Sequence, residues 1–189
     1  KEIANFSEFR PEAKPENLTL ILNSNKIYSA DNTNKTIYAL NINKNASTEI
    51  ISTSTEIKNL KFAAHDKNNN VYFINGGNIL SLTPDEKLEN ISLNPPRQME
   101  NIAALESFNN MLYFADRSVN QIYRYKKQNG RFAGGTPWFN EPADLANLIS
   151  LAIDGNVYLL LNNGELLKFL NGKREDFNLE VVIPALNNP

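Results

Sequence analysis

The residues that could do chemistry are few and scattered. His65 is the only histidine, and Asp66 follows it. A nucleophile–histidine–acid relay or a histidine-based metal site needs partners at fixed geometry, and no second histidine exists to supply one. His65 therefore reads as a solvated loop residue. The run Asp66-Lys67-Asn68-Asn69-Asn70 offers oxygen ligands at the first, third and fifth places of a calcium loop. It has Val71 where such a loop needs glycine and Gly77 where it needs glutamate, so no metal is expected. Asp31 and Asp116 follow Ala30 and Ala115 at matching places in the sequence. That equivalence points to turn capping rather than catalysis. Asp154-Gly155 reads as a hairpin dipeptide. There is no cysteine, which excludes disulfides and thiol chemistry. No cofactor is called for.

One stretch could bind rather than react. Arg124, Lys126, Lys127 and Arg131 are interleaved with Tyr123 and Tyr125, and Trp138, the single tryptophan, follows. Cations beside aromatic faces suit a glycan or a single strand. The plainer reading is alternation on a blade edge. Trp138 is the best single contact residue on an outer strand.

The elements that must position these residues come from a repeat. Met111-Leu112-Tyr113-Phe114 is an apolar run suited to a pleated, buried surface. The polar turn Ala115 to Asn120 follows, and Ile122-Tyr123 starts a return strand. The unit recurs from Lys26 to Leu40, from Asn70 to Leu82 and from Asn156 to Phe169. The first tyrosines, Tyr28, Tyr72, Tyr113 and Tyr158, lie 44, 41 and 45 residues apart. The return-strand anchors Ile37, Ile79, Ile122 and Leu166 lie 42, 43 and 44 apart. Two landmarks give one period, the length of a four-stranded propeller blade. The expected fold is all-β: about four β-propeller blades of four antiparallel strands, either a complete small propeller or part of a larger ring.

The blades are expected at about 17–56, 57–97, 98–144 and 145–183, with an edge strand and connector at 1–16 and a tail at 184–189. Leu18, Leu20 and Leu22 alternate as a first strand. Asn75-Gly76-Gly77-Asn78 is a tight hairpin. Blade two is expected to run to Leu93. In blade four the outer strand is expected near Phe177 to Val182. Glu141 to Leu148 forms at most a helical turn. Ala63, Ala64, Ala103, Ala104 and Ala152 mark the innermost strands, where converging blades admit only small side chains.

Composition limits the partners. A net charge of −2 leaves no electrostatic footprint for nucleic acid. No apolar run approaches a membrane-spanning helix, so direct membrane insertion is not expected. A start at Lys1 and a Pro-flanked tail suggest part of a longer chain. An open arc would expose apolar blade faces, so a homodimer completing a ring, or blades supplied elsewhere, is expected.

The motif Y-x-A-D-x-x-x-N-x-I-Y at Tyr28 to Tyr38 and Tyr113 to Tyr123 resembles NHL-like, six-bladed propellers. A wider set is similar to the propeller modules that follow phosphatase-like domains of the PPM type in bacteria. It comprises the F-x-P near Phe9, Gln121 to Tyr125, Pro137 to Phe139, Ser150 to Tyr158 and Lys168 to Phe177. That resemblance implies an extracytoplasmic module and no phosphatase activity, since the phosphatase's metal-binding aspartates are missing. The expected function is a non-catalytic recognition or scaffold module for a protein or surface polymer. The alternatives are a lyase or hydrolase with a site at the propeller axis, where His65 and Asp66 are the only candidates, and a lectin-like propeller.

Overall fold

Short apolar runs separated by Asn- and Gly-rich turns fold into seventeen strands with no helix among the described residues. The computed structural model describes residues 18–23, 25–41 and 47–177. Blade one comprises β1 (Leu18–Asn23), β2 (Lys26–Asp31), β3 (Thr36–Asn41) and β4 (Ser47–Thr53). Blade two comprises β5 (Leu60–His65), β6 (Val71–Asn75), β7 (Asn78–Leu82) and β8 (Leu88–Ile91). After β9 (Leu93–Asn94), blade three follows as β10 (Ile102–Phe108), β11 (Met111–Asp116), β12 (Gln121–Gln128) and β13 (Arg131–Pro137). Blade four comprises β14 (Leu148–Ile153), β15 (Val157–Leu161), β16 (Leu166–Leu170) and β17 (Lys173–Glu175). The four consecutive strands of each blade form an antiparallel meander. The first strands pack in sequence, β1 on β5, β5 on β10 and β10 on β14.

Strand alternation divides every blade between two neighbours. In β6, Val71 and Phe73 join the core shared with blade one. Tyr72 and Ile74, one residue out of phase, join the core shared with blade three. In β11, Leu112 and Phe114 face blade two, while Tyr113 and Ala115 face blade four. In β15, Val157 and Leu159 face blade three. Thus the first tyrosine of a blade points to the next blade in the chain. Three such cores join four blades, which makes an arc.

The turns explain the asparagines. Asn69, Asn109, Asn110, Asn120, Asn129 and Asn171 all have positive φ, which Asn tolerates better than most side chains. The expected capping role of Asp31 is met: its carboxylate accepts from the Thr33 and Asn34 amides at 2.9 and 3.1 Å. Asp116 does the same for Ser118 at 2.9 Å. The next residue ties blades together. Asn32 accepts from the Leu60 amide at 2.6 Å and donates to the Leu60 carbonyl at 2.9 Å. Arg117 donates to the Leu148 carbonyl at 2.6 Å. Leu60 and Leu148 each begin the first strand of the following blade.

Four expectations need correction. Leu93 does not close blade two; β9 pairs in parallel with Phe132 and Ala133, so blade three has five strands. The outer strand of blade four is Lys173–Glu175, because Asn171-Gly172 turns the chain at once. Beyond Phe177, the residues expected in that strand lie outside the described residues, as do the calls on 1–16 and 184–189. Glu141 to Leu148 forms no helical turn; the Asp144 carboxylate caps the Ala146 amide at 2.9 Å and Leu145 is buried in the core. Finally, Ala152 is exposed. Crowding explains Ala64, Ala103 and Ala104, which are buried between blades, but not an alanine on the last blade of the arc.

Candidate functional site at the seam of blades two and three

The turn from β5 to β6 brings the sequence candidates to one end of the arc. His65 ends β5 and is exposed. Asp66 turns inward and is only 6% exposed. One of its oxygens, Oδ1, accepts from the Asn68 and Asn70 amides at 2.9 and 3.0 Å. The other, Oδ2, accepts from the Tyr72 hydroxyl at 2.7 Å and from Lys127 Nζ at 3.1 Å. The Asn70 side-chain amide bonds both oxygens. With donors and a cation already around it, this carboxylate has no remaining capacity for calcium.

Lys127 comes from the neighbouring blade. Its backbone amide donates to the Asn110 carbonyl at 2.8 Å, which extends the β11–β12 ladder of its own blade to this position. Its Nζ donates to the Tyr72 hydroxyl at 2.7 Å. Burial favours the neutral form of Asp66, but bonds from Tyr72, Asn70 and Lys127 outweigh it and hold the carboxyl below its ordinary range. Burial, together with the bond to the charged Asp66, pushes the Tyr72 hydroxyl well above its ordinary value. The cluster is therefore a locked carboxylate–phenol–ammonium contact across the seam.

A second carboxyl, not singled out in the sequence, lies at the same end. Glu106 is half-buried on β10 and accepts from the Ser107 amide at 2.8 Å. Burial raises its carboxyl above the ordinary range, partly offset by the Ser107 amide and by His65. Only the three-dimensional packing of β5 on β10 places the lone histidine near this acid. Among the described residues no group of three or more His, Cys, Asp or Glu could hold a metal ion.

Blade four repeats the blade-two turn in an open setting. Asp154 Oδ1 accepts from the Asn156 amide at 2.9 Å and its side chain at 3.1 Å. The Tyr158 hydroxyl donates to Asp154 Oδ2 at 3.3 Å. These bonds, the Asn156 amide foremost, hold Asp154 below its ordinary range. No cation joins this pair among the described residues.

The basic and aromatic stretch does not form one patch. Tyr125 is fully buried, and its hydroxyl donates to the Pro95 carbonyl at 3.0 Å; it is removed from the contact surface because it faces the blade-two core. Tyr123 shares that side and lies beneath Arg97, whose guanidinium carbon sits 3.2 Å from the ring centroid. Arg97 also pairs with Asp116 at 3.4 Å. Arg124, Lys126 and Arg131 are exposed, with Arg124 Nε donating to Thr136 Oγ1 at 3.3 Å. Trp138 is half-buried against the blade-four core. Alternation along β12 thus sends Arg124 and Lys126 to one side and Tyr123, Tyr125 and Lys127 to the other.

Solved structures give the fold its class. The chain is similar to virginiamycin B lyase from Staphylococcus aureus, with 16% identity, a TM-score of 0.55, and coverage of 83% of this chain and 57% of that one. It is similar to a luciferin-regenerating enzyme, with 15% identity, a TM-score of 0.55, and coverage of 84% and 59%. It is also similar to the WD40 β-propeller domain of Doa1, with 12% identity, a TM-score of 0.51, and coverage of 82% and 50%. The chain has the β-propeller fold, and it spans little more than half the length of these structures. Such low identities establish the fold alone, and both enzymes and a WD40 domain share it. No family model matches the chain, and no curated protein matches it in sequence.

Proposed function

We propose that this chain is a non-catalytic recognition module of propeller type whose exposed basic edge binds an acidic partner, a protein or a surface polymer. The observation that supports this reading is the division of labour among the charged groups. Asp31, Asp66 and Asp116 are buried and spent on turns and blade seams. Arg124, Lys126 and Arg131 stand exposed on and beside the outer strands of blade three, with Trp138 half-buried beyond them. The resemblance to propellers that follow PPM-type phosphatase-like domains fits a sensor or interaction role outside the cytoplasm in a larger bacterial protein.

Retention on immobilised heparin, used as a polyanionic probe, tests the reading. The parent chain should bind at low salt. A triple exchange of Arg124, Lys126 and Arg131 to Glu should abolish retention without changing the far-ultraviolet spectrum. A parent chain that flows through would overturn the basic-edge assignment. A glycan array with Trp138→Ala asks whether the aromatic contributes, as a lectin-like propeller would need.

A second reading has one observation in its favour. Glu106, whose carboxyl burial raises, lies within electrostatic reach of His65 at the ends of two packed first strands, where a lyase or hydrolase site at the axis would lie. If the chain turns over any substrate, His65→Ala should remove that activity while the melting temperature stays unchanged.

A further inference from the structure

An Asp–Asn–Tyr turn occurs in blades two and four, and among the described residues only the blade-two copy receives a cation. In blade two, Asp66, Asn70 and Tyr72 receive Lys127 from the next blade, and the Tyr72 ring meets Phe132 of that blade edge-on at 5.4 Å. In blade four, Asp154, Asn156 and Tyr158 follow in the same order in a turn two residues shorter: Tyr158 bonds Asp154 as Tyr72 bonds Asp66, the Asn156 side chain reaches Asp154 Oδ1 and the Tyr158 hydroxyl, and the Tyr158 ring meets this chain's own Phe177 edge-on at 6.0 Å. Strand alternation turns Tyr158 away from blade three, toward the side where a next blade would lie. Leu160, Leu166 and Lys168 are only partly buried, and Leu170 is 40% exposed. Lys168 is not the missing cation, since its Nζ lies 5.7 Å over the Phe177 ring.

We infer that the outward face of blade four is an unfinished blade–blade seam. Its occupant is a further propeller blade that carries a lysine or arginine at the end of its third strand, the place Lys127 occupies in blade three. Charge complementarity selects this occupant: a carboxylate held in its charged form, with a phenol bonded to it, is what Lys127 completes at the other seam. A second copy of this chain fits less well. Its blade one has Asn41 at the place of Lys126 and no lysine or arginine next to it in the sequence, and Tyr38, Leu40 and Ser29 of that blade are already buried. The inference is independent of what the basic edge binds.

The test supplies a blade of the required chemistry. A second copy of residues 93–140 is appended after Pro189, and hydrogen exchange is followed at β15 and β16. The expected result is slower exchange there, by about tenfold or more, in a chain that remains a monomer. Exchange of the appended copy's lysine, the counterpart of Lys127, to Met should reverse the gain. Asp154→Asn should reverse it too, and the double variant should lose no more than either single one. Asp154→Asn in the parent chain serves as the folding control and should leave its exchange unchanged. Two outcomes would overturn the inference: no added protection, or protection indifferent to the lysine. An unmodified chain that already forms dimers through this face, with the dimer lost in Tyr158→Arg, would assign the surface to a second copy instead.

Discussion

Asp66 and Asp154 begin the turn before an Asn-Val-Tyr strand in two blades, yet they have different consequences. Asp66 is buried, bonded by Tyr72 at 2.7 Å and joined by a lysine from the next blade. Asp154 is solvent-exposed, its tyrosine stands off at 3.3 Å, and no cation reaches it among the described residues. Asn-Val-Tyr follows the aspartate's turn in both cases, although the turn in blade four is two residues shorter. The difference lies in what is packed against it. A turn that only caps itself in blade four becomes, in blade two, part of the bond between blades.

Asp66→Ala should be the most damaging, costing about 3 kcal/mol, because it strands the Tyr72 hydroxyl and the Lys127 ammonium at a closed seam. Asp154→Ala should leave the melting temperature unmoved; equal losses in the two variants, read by thermal unfolding, would erase the distinction between the seams. Lys127→Met should come next, at about 1–2 kcal/mol, since Asp66 keeps Tyr72 and Asn70 as donors.

Acid should reveal the same asymmetry. The folded state holds the Asp66 carboxyl below its ordinary value of 3.8. A depressed pKa contributes stability that is complete above that value and is lost as pH falls through the folded one. Urea midpoints should therefore drop on acidification below about pH 4, and Asp66→Asn should flatten that limb. Glu106 works in the opposite direction: its raised carboxyl contributes stability below its ordinary value of 4.5, lost as pH rises through the folded value. Glu106→Gln should keep that contribution at neutral pH and raise the midpoint there slightly. At high pH, Tyr72 adds a loss of stability above its ordinary value of 10.0, which Tyr72→Phe should remove from the alkaline limb. A separate local change is Gly172→Ala. Gly172 has φ of +78° and lies against the Trp138 carbonyl, which a methyl group would strike. A loss of about 1–2 kcal/mol is expected, confined to the blade-four hairpin.

The sequence made the strands and their period legible because each blade repeats the same apolar alternation around a tyrosine. It also made Asp31 and Asp116 legible as caps, since turn capping is local. What it hid was non-local. Lys127 looked like one more charge beside Arg124 and Lys126, because only blade packing shows that it points the other way. Tyr72 read as core, and its hydroxyl found a role 55 residues from the lysine it meets. Glu106 sits in an unremarkable strand and gains interest only from its proximity to His65. The two-residue strand β9 carries no pattern to read. In blade four, the turn at Asn171-Gly172 was outweighed by a longer apolar run further on. In Trp138 and the basic residues, the sequence showed the right side chains without their sorting onto opposite sides of β12.

The most direct measurement is residue-resolved hydrogen exchange on the unmodified chain, comparing β6 with β15. Both are second strands flanked by hydrogen-bonded neighbours within their own blades, so the local ladder is matched. Amides of Val71–Asn75, closed between two seams, should exchange only on global unfolding, while those of Val157–Leu161 should open at lower free energy. Equal protection of the two strands would contradict this, by showing that the outward face of blade four is as well covered in solution as the seam that Lys127 closes.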